Sequence, residues 1–207
     1  MAARSEIYFL PRSPVARAVA AASLLLVVVG LGVGAWRTFQ PAFLPTIGGA
    51  FALTDQSGAT RTDADFRGQY LLVFFGFTNC PDICPVELQT MSDALDRLGA
   101  AAARVTPIFI TVDPARDTPE ALRDYAANFH PRLVALTGSA GAIGAVARAY
   151  RVFYAKATGT AAPEDPAAYI MDHTAIVYLM GPDGGYLTHF TPGTAADAMA
   201  AGVRERL

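Results

Sequence analysis

The run YLLVFFGFT at residues 70–78 most limits what this chain can become. It is apolar at nearly every position, rich in aromatic rings, and bounded by Gly68 and a proline-flanked turn. A strand with one wet face alternates apolar and polar residues. A continuous apolar run of this length instead fits a central strand covered on both faces. Covering both faces requires helices on either side, and the next segment supplies one. PVELQTMSDALDRLG (85–99) sets Val86, Leu88, Met91, Leu95 and Leu98 on an apolar stripe, with Pro85 opening the helix and Gly99 stopping it.

The alternation then repeats. RVTPIFITVD (104–113) predicts a second buried strand, and DTPEALRDYAANF (117–129) a helix capped by Asp117 or Thr118, with Glu120 in its first turn. RLVALTG and SAGAIGAVARAY predict another strand and helix. Upstream, AFALTDQSGATRT reads as two short strands around Gln56-Ser57-Gly58. Downstream come an extended piece, RVFYAK, and a loop rich in proline, alanine and glycine, ATGTAAPEDPAAY. IMDHTAIVYLMGPDGGYLTHF then predicts a hairpin turning at Pro182–Gly185, and a last helix starts near Thr194. Strands alternating with helices imply parallel crossovers, and the closing hairpin makes the sheet mixed. A cysteine turn between the first central strand and its helix is the layout of a thioredoxin-like α/β fold, a mixed sheet flanked by helices.

The N-terminus adds one transmembrane helix ahead of that domain. From Ala18 to Trp36 there is no charge, and the stretch is long enough to cross a bilayer. Arg4, Arg12 and Arg17 precede it against Glu6, and only Arg37 follows before Asp55. That asymmetry predicts an N-terminus in the cytoplasm and a domain in the periplasm or an equivalent compartment, on a single-pass anchor in the inner membrane. A cleaved signal with GVGA as its cleavage site is the alternative, and the length of the apolar stretch favours the anchor. The expected organisation is residues 1–37 as cytoplasmic end and anchor, 38–49 as linker, and 50–207 as the domain. Beyond residue 37 there are 12 Lys and Arg against 17 Asp and Glu, a net charge of −5, with Lys156 as the sole lysine. Such a domain lacks the basic footprint of a nucleic-acid binder.

The turn after the central strand, NCPDICP, holds both cysteines of the chain, Cys80 and Cys84. In an oxidising compartment the default expectation is a structural disulfide bond. A bridge closing so small a loop restrains the unfolded chain little, so stability alone does not explain the pair. Cys84, next to Pro85, is expected at or near the helix cap, where backbone amides lower a thiol pKa. Three histidines offer a further ligand. His130 reads as a turn residue after a helix, and His189 as a surface residue on an outer strand. His173, in IMDHTAIVYL, is expected early on a central strand beside the one that delivers the cysteines. Two thiolates and one imidazole suit copper, since soft sulfur favours Cu(I) and imidazole serves either Cu(I) or Cu(II). Zinc in a structural site would want a fourth protein ligand. Met171 and Asp172, which flank His173, are lesser candidates.

With these residues in place, the chain resembles the Sco/SenC family of membrane-anchored copper chaperones for cytochrome c oxidase assembly. The matching motifs are GFTNCPDICPVEL, FITVDPARDTPEAL, NFHPRLVALTGS, YRVFYAK and DHTAIVYLMGPDG, in family order from residue 50 to the end. The resemblance implies that Cys80, Cys84 and His173 bind one copper. It implies delivery to the binuclear copper site of cytochrome c oxidase subunit II, with another copper chaperone as donor. Asn79 departs from the histidine or other polar residue that many members carry before the first cysteine. Asp113, Arg116 and Asp117 match the second motif, either as a capped and paired loop or as a docking surface. A thiol–disulfide oxidoreductase acting through Cys80 and Cys84 is the alternative function. A peroxiredoxin-like peroxidase is disfavoured, because Phe77 stands where its motif needs threonine.

Overall fold

The structure, a computed structural model, describes residues 13–39, 47–157 and 169–207. Residues 1–12, most of the expected linker (40–46) and most of the proline-rich loop (158–168) lie outside the described residues. The N-terminal helix α1 spans Pro14–Phe39, two residues past the expected end of the anchor. Its Pro14–Gly34 portion is long and apolar enough to cross a membrane. At 1.5 Å per residue that portion is about 31 Å long, against about 30 Å of bilayer hydrocarbon. A signal sequence near the N-terminus meets the same criterion.

Within residues 47–207 the strands are β1 (Ala52–Asp55), β2 (Thr60–Thr62), β3 (Tyr70–Gly76), β4 (Val105–Thr111), β5 (Val134–Thr137), β6 (Tyr154–Lys156), β7 (Met171–His173), β8 (Val177–Met180) and β9 (Tyr186–Phe190). The helices are α2 (Ile83–Leu98), α3 (Pro119–Ala126), α4 (Ala140–Ala149) and α5 (Ala196–Arg204). Seven strands form one sheet in the order β2-β1-β5-β4-β3-β8-β9. The inner strands β3, β4 and β5 run parallel, while β8 pairs antiparallel to β3. This is the mixed sheet expected of a thioredoxin-like fold.

Burial explains the continuous apolar run. Every residue of β3 is buried, with Leu72, Phe74 and Phe75 fully enclosed, so both faces of the strand are covered. Leu88, Met91 and Leu95 of α2 join the core with Met199 and Val203 of α5, and these two helices pack on each other. The Thr118 hydroxyl caps α3 by accepting from the Ala121 amide at 3.3 Å. At the hairpin tip Gly184 has φ +76°, a left-handed conformation that favours glycine.

Two expectations change. Helix α2 begins at Ile83, two residues ahead of the expected start at Pro85, so Cys84 lies near the cap but inside the first turn. And 171–180 is not one strand. β8 enters the sheet at Val177, opposite Phe74. Any extension backwards would soon run past Gly76, where β3 ends and the chain turns toward the cysteines. Thr174 instead bonds to Phe153, its amide donating to the carbonyl at 2.9 Å and its hydroxyl accepting from the amide at 3.1 Å. The preceding residues therefore pair with β6, with His173 opposite Tyr154, as a separate two-stranded ribbon. His173 belongs to that ribbon and not to the central sheet.

The β1–β2 turn holds the clearest pH-linked interaction in the fold. Burial alone would raise the Asp55 carboxyl pKa, but hydrogen bonds from Ser57, Arg61 and the Ala59 amide outweigh it and bring it to about 2. A depressed carboxylate contributes stability that is complete above its unfolded pKa and lost as pH falls toward its folded one. Asp55→Asn is expected to cost about 2 kcal/mol at neutral pH, and progressively less between about pH 4 and pH 2. Urea unfolding of parent and variant at pH 7 and at pH 2.5 checks this, since the gap must shrink at the lower pH.

Candidate metal centre

The site sits at the carboxyl end of β3, where the chain leaves the sheet and enters α2. Phe77 is buried and its carbonyl accepts from the Cys80 amide at 3.3 Å, folding Thr78 and Asn79 into a tight turn. That turn brings Cys80 to the mouth of α2. The free amides of a helix's first turn need acceptors. The Asp82 side chain makes no capping bond. The Cys80 sulfur takes that part, accepting from the Cys84 amide at 3.4 Å.

This placement reverses the expected roles of the two thiols. Cys80, not Cys84, receives the helix amides, and it is half-buried while Cys84 is fully buried. A hydrogen bond from the Cys84 thiol is the largest cause holding the Cys80 pKa down to about 5, against burial. Amides of Asp82 and Cys84 and the nearby His173 add to it. Cys84 moves the opposite way, because it gives its proton to that bond and because burial disfavours its charge. Of the two thiols in the metal-free pair, Cys80 is therefore the one that more readily gives up its proton.

His173 completes the group. Its Nε2 lies 3.4 Å from the Cys84 sulfur, and its Nδ1 is 3.2 Å from the Thr174 carbonyl. A proton on Nδ1 donated to that carbonyl leaves the Nε2 lone pair facing the sulfurs. The edges of Phe74 and Phe77 meet the ring at centroid distances of 6.1 and 5.9 Å, which holds its plane. All three donor atoms lie within 4.8 Å of one another. A trigonal ion with bonds of about 2.3 Å to sulfur and about 2.0 Å to nitrogen spaces its donors about 3.7–4.0 Å apart. The donor set and its spacing fit a soft metal ion, once both thiols have lost their protons.

The other candidates lie elsewhere. Asp172 is exposed and Met171 lines a neighbouring cleft. The Nδ1 of His130 accepts from the Arg132 amide at 3.2 Å, as befits a turn residue. His189 is exposed on the edge strand β9, beside the Tyr186 hydroxyl at 2.6 Å. Asn79 is also exposed, its side-chain oxygen 3.3 Å from the Thr78 hydroxyl. Asp117 is buried under the turn and accepts from the Thr78 amide at 3.1 Å and the Thr78 hydroxyl at 2.6 Å. Burial pushes its carboxyl pKa up despite those bonds.

Two contributors carry no signal that residue type could reveal. A Cβ on Gly76 would stand 2.7 Å from the Cys84 sulfur, so the buried thiol occupies space that only glycine leaves. Tyr125 of α3 packs on Phe109 and Phe129, and its buried hydroxyl has no hydrogen-bond partner among the described residues. Burial, then the neighbouring cysteine pair, pushes that phenol's pKa up.

A model of the SCO1/SenC family matches residues 40–207. The human mitochondrial SCO1 homolog is 44% identical over 161 residues, which cover 77% of this chain and 52% of that protein. An SCO2-like protein of Rickettsia felis is 41% identical over 144 residues, or 70% of this chain and 69% of that one. The chain spans about half the length of the mammalian SCO1 relatives it matches. Among solved structures, copper-bound ScoI of Bradyrhizobium japonicum superposes with a TM-score of 0.70 at 41% identity, covering 78% of this chain and 99% of that one. Copper-bound ScoI of Arabidopsis thaliana has the same TM-score of 0.70 at 38% identity, covering 77% and 96%.

Proposed function

The chain belongs to the SCO1/SenC family, and we propose that it carries one copper ion on Cys80, Cys84 and His173 and passes it to the binuclear copper site of cytochrome c oxidase subunit II. The observation that carries this reading is the convergence of the three donors within 4.8 Å. Two thiolates satisfy Cu(I), and the added imidazole makes a site that also tolerates Cu(II). Cys80 and His173 are only half-buried, so an incoming ligand can reach the ion, as transfer requires. The copper-bound relatives supply the choice of metal.

In the same reading residues 1–37 anchor the chain, with the N-terminus in the cytoplasm, and 38–49 link the anchor to a periplasmic domain at 50–207. The excess of arginine before the apolar helix supports that orientation. Another copper chaperone is the donor.

One observation favours a second activity. A Cys80 thiol with its pKa held near 5, beside a protonated Cys84, is the arrangement of a redox pair. The Cys80 thiolate would attack a disulfide of the partner and expel one partner thiolate. Cys84, on losing its proton, would then attack the Cys80 sulfur and release the second partner thiol, leaving a Cys80–Cys84 disulfide. A disulfide switch is described for BsSco, whose structure superposes with a TM-score of 0.63 at 28% identity.

One experiment separates the two. The full-length chain in detergent, loaded anaerobically with copper, is mixed with subunit II whose copper-site cysteines are reduced and empty. Metal-free chain is mixed in parallel with subunit II whose cysteines are oxidised. Appearance of the binuclear copper spectrum in the first mixture supports delivery. Copper that stays on the chain there, with thiols appearing on subunit II in the second, assigns the reductase role and contradicts the carrier.

A further inference from the structure

Among the described residues, the ribbon carrying His173 is joined to no strand of the main sheet. Its strands β6 and β7 pair with each other over three residues each. A cleft of about 500 Å³ runs along it, lined by Tyr154, Lys156, Tyr169 and Met171. Among the described residues, no main-chain pairing to the sheet sets the imidazole against the two sulfurs. Beside the Phe74 and Phe77 rings, side-chain contacts from the 113–117 loop hold it.

The 113–117 loop makes that connection. Tyr169, four residues before His173, is buried and donates its hydroxyl to Asp113 at 2.7 Å. Arg116 donates to the Tyr169 carbonyl at 2.9 Å, and its guanidinium lies 3.8 Å from the centre of the Tyr169 ring. The Arg116 Nε also bonds to the buried Asp113 carboxylate, so the three side chains form one closed unit. The same loop grips the other arm of the site. Asp117 holds Thr78, two residues before Cys80, through both its amide and its hydroxyl. A short loop thus fastens the cysteine arm at one end and the histidine arm at the other.

We infer that the 113–117 loop is a bracket that sets the imidazole of His173 against the two thiols, with Tyr169 as the positioning residue on the histidine arm. The inference rests on the reading of His173 as a copper ligand. Loosening the bracket leaves both thiolates in place and frees the imidazole. Cu(I), which two thiolates satisfy, is held nearly as before, while Cu(II), which depends on the imidazole, is not. The bracket therefore sets which oxidation state of the ion is retained.

The test uses the full-length chain in detergent and four forms: parent, Tyr169→Phe, Arg116→Met and His173→Ala. Tyr169→Phe keeps the ring and removes one hydrogen bond to a carboxylate, so it is the variant least able to disturb folding. For it the expected result is a Cu(II) affinity about tenfold lower, with Cu(I) affinity within about threefold of the parent. The nitrogen couplings in its Cu(II) paramagnetic resonance spectrum should weaken toward those of His173→Ala. Arg116→Met should act in the same direction. If Tyr169→Phe keeps parental Cu(II) affinity and couplings while His173→Ala loses them, the bracket is overturned and the ligand reading stands. If His173→Ala keeps them too, the ligand reading fails, and amide exchange of 171–174 in metal-free chain decides the bracket. Faster exchange in Tyr169→Phe supports it; unchanged exchange overturns it.

Discussion

Cys84→Ser and Cys80→Ser are each expected to end stoichiometric copper binding, yet to differ in what they do to the fold. Structural zinc in small peptides is held with roughly 10–16 kcal/mol; on that scale losing one of three ligands forfeits on the order of 3–5 kcal/mol, or about 100- to 4,000-fold in affinity. Copper per chain, measured after dialysis against a competing chelator, should fall from one to near zero in both variants. Cys84 is fully buried against Gly76, where a serine hydroxyl would lose water without gaining a sulfur's packing. That costs about 1–3 kcal/mol. Cys80 is half-buried, and a serine there can still accept from the Cys84 amide, so its fold should be nearly as stable as the parent. Copper loss with intact stability in Cys80→Ser separates ligand chemistry from unfolding. Full retention of copper in that variant contradicts the assignment.

Gly76→Ala is the second large effect, and it acts without touching a ligand. The added Cβ would stand 2.7 Å from the Cys84 sulfur, 2.9 Å from Phe109 Cε2 and 3.1 Å from Phe74 Cε1. Neither ring can easily yield, because Phe74 and Phe109 are themselves fully buried and stacked at a centroid distance of 6.3 Å. Overpacking of this kind costs typically about 1–3 kcal/mol. The sulfur, at the end of a short side chain, is the atom best able to move, and any movement alters its spacing from His173 Nε2. The expected outcome is a lowered unfolding midpoint together with a copper affinity reduced at least about tenfold. Chemical denaturation and chelator competition on the same sample check both. A variant with parental copper affinity would mean that Cys84 has room the structure does not show.

The fold was largely legible because its signals are local. A run such as YLLVFFGFT can satisfy its apolar residues on both sides only as a central strand, and Thr118 and Gly99 mark helix ends by their own chemistry. The identity of the three converging side chains was legible from their chemistry in the same way. Their arrangement was not. Nothing near His173 in sequence says that Thr174 will bond to Phe153 and divert the strand, since that partner lies 21 residues away. The division of charge between the thiols escaped for a related reason. It depends on α2 starting two residues before Pro85, which turns its first amides toward Cys80. The grip of Asp117 on Thr78 spans 39 residues, and that of Tyr169 on Asp113 spans 56. Such contacts come from topology, which residue type and spacing do not encode.

In the proposed site, an imidazole from a separate two-stranded ribbon joins two sulfurs from a helix mouth. X-ray absorption at the copper edge, on the full-length chain loaded with one equivalent, tests this most directly. Two sulfur scatterers at about 2.3 Å and one nitrogen at about 2.0 Å, with the nitrogen's imidazole signature gone in His173→Ala, is the expected result. A spectrum that is the same in parent and His173→Ala would contradict it.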